Sequence, residues 1–367
     1  MNKYNEFYIT DYGALADGKT DCTKFIQQAI DDASECQGVV KIPAGNFLTG
    51  YLKLKAHTTI SGVKGWSYRA NGGSILTLND KNAPCLLDIT NAYGCSIENL
   101  CLSGNDKLGD NIHGIATIRE DEEELFEEDT PRIEGVRVSD FSGDGVHLQR
   151  IWCFSVRHNM LGFNKGNGLY IKGWDGFIMD NWFSYNDGAG ILSDKEVSAL
   201  VLNANRVEWN KVAGFKFINP ISINIVGNAF DASGGPAIDL NNEKGQRSIN
   251  MTIMGNTFQR NGMPLRRDES VGESCHIHLT RAMNVVIQGN TLYEAIDDCG
   301  NRDMVCPKTG LIIEKLKDCV IKDNVMMNCA TENVVIDRGN HEDGNVIEIK
   351  GSTKAKAGVW IYPFFEE

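Results

Sequence analysis

Proline, basic residues and long apolar segments are scarce in this chain, and each shortage narrows the possible functions. Proline accounts for 8 of 367 residues, and 36 Lys plus Arg stand against 49 Asp plus Glu, for a net charge of −13. No basic stripe is present to neutralise phosphates, so a nucleic-acid partner is not expected. No segment approaches the roughly 20 apolar residues of a membrane span, so no membrane partner is expected either.

Paired cysteine motifs are also missing. The 11 cysteines include no C-x-x-C pair, so neither a zinc site nor a redox dithiol is predicted, and no other metal or cofactor is expected. The amino terminus, MNKYNEFYITDYG, lacks the apolar core of a signal peptide. Together with scattered cysteines, which are typical of reduced thiols, this predicts a cytoplasmic protein. A secreted protein whose signal had been removed would look the same.

What the chain does have is a repeat. Seven asparagines recur with an aliphatic residue three positions before each and an apolar residue two positions after each. They are Asn159, Asn181, Asn205, Asn228, Asn256, Asn290 and Asn324. A fixed period with a polar corner and inward apolar residues indicates a solenoid, and the units are too short for helix pairs.

The repeat therefore predicts an all-β fold, a single-stranded right-handed parallel β-helix with the asparagines hydrogen-bonded in a ladder. The 38 glycines and frequent Asn–Gly and Asp–Gly turns agree with it. Chance turns in an ordinary β-sandwich are the alternative, which the agreement of seven registers disfavours.

The first 50 residues predict a cap. Thr20 or Asp21 is placed to cap a helix whose apolar face is Phe25, Ile26, Ala29, Ile30 and Ala33. Such a helix covers the open end of a solenoid. The predicted organisation is one domain, with a cap and first strand at 1–50, coils at 51–351, excursions from the coils at 105–131 and 262–274, and a tail at 352–367.

The segments DYGALADGKTD, IQQAIDDA and GVVKIPAGNFLTG (11–50) resemble the amino-terminal part of the pectate-lyase-like β-helix superfamily. That group includes polygalacturonase-type glycoside hydrolases, alginate epimerases, tailspike depolymerases and inulin fructotransferases. The resemblance implies a carbohydrate substrate, and homotrimers occur among many such proteins. Fold alone does not specify the reaction.

Departures from known motifs leave the reaction open. Of the polygalacturonase signatures, only His113–Gly114, assigned to a loop, and Asp297–Asp298 have counterparts here. GDGVHL (143–148) shares a corner with the Asp–Pro–His element of alginate epimerases, but not the motif itself. The coil spacing from 159 to 262 is more similar to that of inulin fructotransferases.

Residues at equal offsets from the ladder asparagines should stack at about 4.8 Å on successive coils. Offset +3 makes Glu208 and Asp231 neighbours, and two carboxyls about 5 Å apart match a retaining glycosidase, with one pKa raised by the other charge. We predict these two as the catalytic pair. The alternative is that Glu208 forms a surface ion pair with Arg206 or Lys211.

Aromatic and basic residues fall on the same predicted face. Trp182, Tyr185 and Trp209 are placed to stack on a sugar ring, and Arg206 and Arg260 to orient hydroxyls or a carboxylate. These five are therefore predicted substrate-binding residues. The alternative is that the aromatic side chains pack against a neighbouring subunit.

A second row is aligned on the glycine that opens the next strand. It contains His147, Tyr170, Leu192, Lys216, Asp239 and His278. Asp239 beside His278 suits a base and the group that orients it, whereas His147 and Lys216 suit substrate binding. Asp187, on a turn beside the aromatic face, is a further catalytic candidate.

These rows predict a carbohydrate-active enzyme that cleaves or rearranges glycosidic bonds with a carboxylate pair and no cofactor. Two alternatives stay open. One is lyase or epimerase chemistry on a uronate, which needs a base at C5 and a cation at the substrate carboxylate. The other is a non-catalytic glycan-binding solenoid.

Overall fold

The structure, a computed structural model, describes residues 5–120, 125, 127–263, 271–297 and 303–349. It divides into two compact units, Met1–Arg206 and Val207–Glu367, which we describe separately. No helix within the described ranges has the length and apolar character needed to cross a lipid bilayer.

The predicted capping helix is present in the first unit. It spans Thr23–Ser34 and buries Ile26, Ala29, Ile30 and Ala33. The Asp21 carboxylate accepts a hydrogen bond from the Thr23 backbone N–H at 2.9 Å, which satisfies one of the free donors at the helix start. A single turn of 3₁₀ helix, Ile9–Tyr12, precedes it.

Short strands make up most of the rest of the first unit. In chain order they are Glu6–Tyr8, Asp17–Asp21, Val39–Lys41, Gly45–Thr49, Leu52–Lys53, Thr59–Ser61, Ser74–Leu78, Cys85–Asp88, Ser96–Glu98, Cys101–Ser103, His113–Thr117, Arg132–Glu134, Arg137–Ser139, Val146–Arg157, Met160–Gly162, Leu169–Met179, Trp182–Ser184, Ile191–Ser193 and Val197–Asn203. Arg206–Glu208 contains the division between the units.

The second unit is built in the same way. Its strands are Phe215–Phe217, Pro220–Val226, Ala229–Asp231, Ile238–Leu240, Ser248–Met254, Thr257–Gln259, Cys275–Gln288, Thr291–Tyr293, Ala295–Ile296, Met304–Val305, Thr309–Lys317, Val320–Lys322, Val325–Met327, Asn333–Asp337 and Val346–Ile347.

Within each unit, strands pair in parallel with strands one coil away. Arg132–Glu134, for example, pairs with Ser96–Glu98 on one side and with Ser155–Arg157 on the other. Among the described residues, the strand pairing that departs from this pattern is the antiparallel hairpin of Ala295–Ile296 with Met304–Val305. The all-β right-handed parallel β-helix with one capping helix is thus confirmed.

The asparagine ladder is also confirmed. The Asn181 side-chain oxygen accepts hydrogen bonds from the backbone and side-chain N–H groups of Asn159, at 3.1 and 3.0 Å. The same double contact joins Asn181 to Asn205, Asn228 to Asn256, Asn256 to Asn290, and Asn290 to Asn324. The residue before each ladder asparagine is left-handed, which turns the chain at that corner.

A second corner follows five residues after the first. Asn164 and Asn186 repeat the ladder there, with an Asn164 Nδ2 to Asn186 Oδ1 distance of 3.0 Å. The residue just before this corner, at offset +4, has positive φ in Phe163, Tyr185, Trp209, Ala232 and Arg260. The +4 residues therefore occupy turns between strands.

One predicted excursion needs correction. The segment 105–131 was expected to interrupt the coils, with His113–Gly114 in a loop, but His113–Thr117 is a strand paired on both sides. Its interior residues Gly114, Ile115 and Ala116 are buried, so this part of the segment continues the core. Residues 121–124, 264–270 and 352–367, which belong to the predicted acidic excursion, the second excursion and the tail, lie outside the described residues.

Candidate active site

A cleft of 710 Å³ opens in the first unit, where three successive coils present polar side chains. His113, His147 and Tyr170 line it, with Asp194 and Lys195 among the other lining residues. The parallel register sets this arrangement, since Ala116 lies opposite His147 and His147 lies opposite Tyr170. The repeat itself thus brings distant residues together.

Asp144 and His147 form a close pair at this cleft. The distance from His147 Nδ1 to Asp144 Oδ2 is 2.7 Å. The other carboxylate oxygen of Asp144 accepts hydrogen bonds from the backbone N–H and the side-chain amide of Asn167, at 2.7 and 2.8 Å. Asp144 is buried, whereas the His147 side chain is 24% exposed, so the histidine is the member of the pair that a substrate can reach.

Hydrogen-bond partners assign the proton positions of both histidines. Asp144 Oδ2 can only accept while the carboxylate is ionised, so His147 Nδ1 donates and neutral His147 keeps a lone pair on Nε2. His113 Nδ1 accepts from the Asp144 backbone N–H at 2.9 Å, so neutral His113 carries its proton on Nε2. His147 therefore offers a base at Nε2, and His113 offers a hydrogen-bond donor at Nε2.

Electrostatics favour these protonation states. Burial, together with the neighbouring His147, lowers the pKa of His113 to about 4, which keeps its ring neutral at physiological pH. Burial alone would raise the pKa of Asp144, but hydrogen bonds from His147 and from the Asn167 backbone N–H help to lower it. Asp144 is therefore ionised.

Ring stacking aligns the side chains that face the cleft. His113 and His147 lie 4.2 Å apart between ring centroids, and His147 and Tyr170 lie 4.4 Å apart with an interplanar angle of 9°. The Tyr170 hydroxyl is 2.9 Å from Asp194 Oδ1. The three stacked rings, two imidazoles and one phenol, thus all border the cleft.

Three of these residues also have the spacing of a metal site. One ligand atom each from His113, Asp144 and His147 lies within 4.8 Å of the others, and two imidazoles with a carboxylate suit transition metals. Both Nδ1 atoms already have protein partners, however, and Asp144 would have to leave His147 to bind a metal. The geometry fits proton transfer better than metal coordination.

Sequence reasoning identified only part of this cleft. His147 was predicted as a substrate-binding residue and Tyr170 was placed in its row, but Asp144, His113 and Asn167 were missed. A signal was present, because Gly114 opens its strand as Gly145 does, and extending the glycine alignment by one coil places His113 opposite Asp144.

The predicted carboxylate pair lies in the second unit, where both side chains are buried, with Glu208 at 5% and Asp231 at 3% exposure. The Arg260 guanidinium donates two hydrogen bonds to the Asp231 carboxylate, from Nε at 2.8 Å and from Nη2 at 2.6 Å. The Arg260 guanidinium also lies 5.3 Å from the Trp209 ring centroid. This geometry is typical of a structural ion pair, and the catalytic and substrate-binding assignments of these residues stay predictions.

The aromatic residues of the first unit form a cluster on a different strand row from the cleft. Trp182, 39% exposed, lies 5.1 Å from Tyr68, and Tyr185 stacks on Phe163 at 5.2 Å. Arg69 lies over Tyr185, 5.4 Å from the ring centroid. Sugar stacking by Trp182 and Tyr185 stays a prediction. So does the role of Arg206, an exposed strand residue.

The residues of the row aligned on the opening glycine also lie side by side in the second unit. Lys216 lies opposite Asp239, which lies opposite His278. His278 Nδ1 is 3.5 Å from Asp239 Oδ1, and Lys216 Nζ is 3.6 Å from Asp239 Oδ2. The His278 side chain is only 4% exposed, so its access to a substrate is poor. The roles of these three residues stay predictions.

Asp187, the remaining candidate, lies at the surface of the first unit. Its carboxylate is 3.6 Å from Lys107 Nζ, and both side chains are well exposed. The contact is an ordinary surface ion pair, and its catalytic assignment also stays a prediction.

Comparison with protein families places the chain among β-helix proteins. Residues 7–72 match "Rhamnogalacturonase A/epimerase, pectate lyase-like", residues 98–274 match "Periplasmic copper-binding protein (NosD)", and residues 195–362 match "Right handed beta helix region". Each match covers less than half of the chain.

Two curated relatives come from Azotobacter vinelandii. Alginate lyase 7 is 29% identical over 205 residues, which are 50% of this chain and 22% of that protein. Mannuronan C5-epimerase AlgE3 is 28% identical over 232 residues, which are 57% of this chain and 12% of that protein. The chain thus matches less than a quarter of the length of either relative.

Solved structures agree on the fold. The A-module of the Azotobacter vinelandii mannuronan C-5 epimerase AlgE4 has a TM-score of 0.65 at 18% identity, covering 95% of this chain and 100% of that one. DFA-IIIase from Arthrobacter chlorophenolicus A6 has a TM-score of 0.67 at 14% identity, covering 97% and 99%. These comparisons confirm the resemblance to pectate-lyase-like right-handed β-helix proteins.

Proposed function

We propose that this protein is a polysaccharide-modifying enzyme that acts on a uronate-containing glycan by β-elimination at the cleft of the first unit. The observation that carries the proposal is the Asp144–His147 pair, which holds a histidine base at the cleft beside the neutral hydrogen-bond donor His113. Similarity to an alginate lyase and to a mannuronan epimerase supports a uronate as substrate.

The chemistry follows from the protonation states. His147 Nε2 removes the proton at C5, the electron pair forms the C4–C5 double bond, and the bond from C4 to the glycosidic oxygen breaks. The His147 imidazolium then gives this proton to the departing oxygen, which returns His147 to its neutral form, while the neutral His113 ring donates a hydrogen bond from Nε2 to the developing negative charge. Asp144 stabilises the imidazolium that forms on His147.

Elimination is preferred over epimerisation because of the direction of approach. Epimerisation returns a proton to the opposite face of the sugar, which needs groups on both sides of the ring. His113, His147 and Tyr170 form one stack at the cleft, and a single base, His147, that removes the proton and returns it to the departing oxygen suits elimination.

The substrate carboxylate must be neutralised for its C5 proton to be removed. Two cations line the cleft, Arg119 and Lys195. The Arg119 guanidinium is buried and bound by Asp129, with an Nη1 to Oδ2 distance of 3.0 Å, whereas Lys195 is exposed at the rim. We assign carboxylate binding to Lys195.

The test is a product screen with polymannuronate, polyguluronate and polygalacturonate. Elimination gives an unsaturated uronate that absorbs in the ultraviolet, and the product carries no deuterium at C5 after reaction in deuterated water. Loss of this product in His147→Asn, with full activity in the exposed-histidine control His158→Asn, would support the proposal. C5 deuteration without ultraviolet absorbance would replace elimination by epimerisation.

Glycosidic-bond cleavage by a carboxylate pair is the second candidate, favoured by the structural match to DFA-IIIase. In that case saturated products with new reducing ends or new linkages would form from a fructan or another neutral glycan. Asp231→Asn would abolish them while His147→Asn would not.

A further inference from the structure

A small basic pocket of 290 Å³ lies in the second unit, and none of its lining residues lines the cleft described above. Four cationic side chains line it, Arg247, Arg281, Lys315 and Lys317. Such a concentration of positive charge is unexpected in a chain whose net charge is −13.

The coil register forces two of these cations together. Thr280 lies opposite Glu314 and Ala282 opposite Leu316, so Arg281 and Lys315 occupy equivalent places on adjacent coils. Both have left-handed backbones, with φ of 52° and 55°. Like charges on directly opposed strand positions repel each other, and the Glu314 carboxylate, which attracts both cations, offsets part of that repulsion.

Neighbouring carboxylates offset part of the positive charge of the pocket. Lys315 Nζ is 2.5 Å from Glu314, and Lys317 Nζ is 3.0 Å from Glu342. Across the described residues, the Arg247 and Arg281 side chains make no hydrogen bond or ion pair. Glu314 also attracts Arg281, and Asp318 attracts Lys317, so carboxylates offset part of the positive charge. The two guanidinium groups are free of direct carboxylate contact within the described residues, and guanidinium groups bind oxyanions in a bidentate manner.

We propose that this pocket is an anion-binding subsite for the acidic groups, carboxylate or sulfate, of a polysaccharide chain. The guanidinium groups of Arg247 and Arg281 contact the anion, and Lys315 and Lys317 increase the positive electrostatic potential of the pocket. The pocket's volume holds one or two such groups and is too small for a folded partner. The preference for a uronate polymer rests on the proposed function, whereas the anion site itself does not.

The test compares Arg247→Gln/Arg281→Gln with Lys244→Gln/Lys322→Gln, which removes the same charge from two lysines of the same unit outside the pocket. Binding of polygalacturonate, dextran sulfate and neutral dextran is measured by calorimetry at two salt concentrations, with inorganic sulfate as the small-anion probe. We expect the arginine variant to bind an acidic polymer at least about tenfold more weakly, with a shallower salt dependence. We expect the lysine variant to match wild type.

Each outcome has one meaning. Preference for polygalacturonate over dextran sulfate identifies carboxylate as the ligand, and the reverse preference identifies sulfate. Equal weakening in both variants would overturn the subsite in favour of a general charge effect, and binding of inorganic sulfate but of neither polymer would overturn the polysaccharide ligand. A wild type that binds polyanions through the arginines but modifies none would refute the proposed function and leave the subsite standing.

A stability measurement gives an independent check that the variants fold. If Arg281 and Lys315 repel each other, Arg281→Gln should raise the thermal midpoint in anion-free buffer, and added sulfate should stabilise wild type more than the variant. A lower midpoint without anion would contradict the repulsion on which the proposal depends.

Discussion

Each unit holds an Asp–His pair whose histidine lies on the row that follows the opening glycine, but the two pairs differ in how they are built. In the first unit, Asp144 and His147 belong to one coil, three residues apart, with a 2.7 Å contact. In the second, Asp239 and His278 belong to successive coils and lie 3.5 Å apart. A pair within one coil is fixed by local chain geometry, whereas a pair across coils depends on the register.

The difference decides which histidine can act on a substrate. Asp144 lies in the turn before its strand and is held by Asn167, which leaves His147 oriented toward the cleft. Asp239 lies within its strand and shares its carboxylate with Lys216, while His278 is buried. One repeat position thus yields an accessible base in one unit and a buried polar group in the other.

The largest expected effect is on kcat, and it compares the two histidines directly. His147→Asn should lower kcat on a uronate polymer by about 10²- to 10⁴-fold, because it removes the general base. His278→Asn should change kcat by less than about threefold, since a buried histidine does not meet the substrate. Steady-state kinetics of both variants test this, with His158→Asn as control. A larger loss in His278→Asn than in His147→Asn would move the active site to the second unit.

The next effect concerns stability and tests the predicted carboxylate pair. Asp231→Ala leaves the buried Arg260 guanidinium without its partner, so the free energy of unfolding should fall by about 3–5 kcal/mol. The double variant Asp231→Leu/Arg260→Met should recover much of that loss, because no uncompensated charge remains. Denaturant unfolding followed by circular dichroism measures both.

The opposite result would favour the carboxylate mechanism. If Asp231→Asn keeps wild-type stability but loses all activity on a glycan, Asp231 takes part in the chemistry, and the ion pair with Arg260 serves to hold it in place.

The fold could be predicted from the sequence because the sequence is periodic. The ladder asparagines, the apolar residues around them and the capping helix all obey fixed spacings, and the structure keeps those spacings. The row from His147 to Tyr170 was predictable for the same reason, because parallel strands in constant register place equal offsets side by side.

The site was harder to predict because it depends on departures from the repeat. Arg260 was aligned as an outward-facing residue, but its left-handed backbone places it at a corner, from which it reaches Asp231. Asp144 precedes its strand and pairs forward with His147, a contact that no offset alignment displays. Burial of Glu208 and Asp231 likewise depends on side chains from other segments, which the period does not encode.

A smaller expected effect is on the pH dependence of stability. It compares two histidines that burial keeps neutral, one in each unit. Burial lowers the pKa of His113 to about 4 and that of His276 to about 3, both from 6.5. The unfolded chain therefore binds protons that the folded chain excludes below pH 6.5, and stability is lost as the pH falls from there toward these lowered values. The expected loss is on the order of 1–3 kcal/mol per histidine.

Thermal unfolding midpoints between about pH 7 and pH 5 measure this loss, with His113→Gln and His276→Gln each expected to reduce the pH dependence. His158→Gln, at an exposed histidine, is the control and should leave the slope unchanged. A slope that persists in both buried-histidine variants would assign the pH dependence to carboxylates.

The smallest expected effect is that of Asp187→Asn, which tests whether the active site of the first unit is confined to the cleft. Asp187→Asn breaks an exposed ion pair with Lys107, so stability should change by less than about 1 kcal/mol. If the chemistry belongs to His147, kcat should also be unchanged, since Asp187 is absent from the lining of the cleft. Lys107→Gln removes the same contact from its other end and serves as the matched variant. A loss of activity in Asp187→Asn but not in Lys107→Gln would mean that this carboxylate contacts the substrate, and the active site would then have to extend beyond the cleft to the face that carries Asp187.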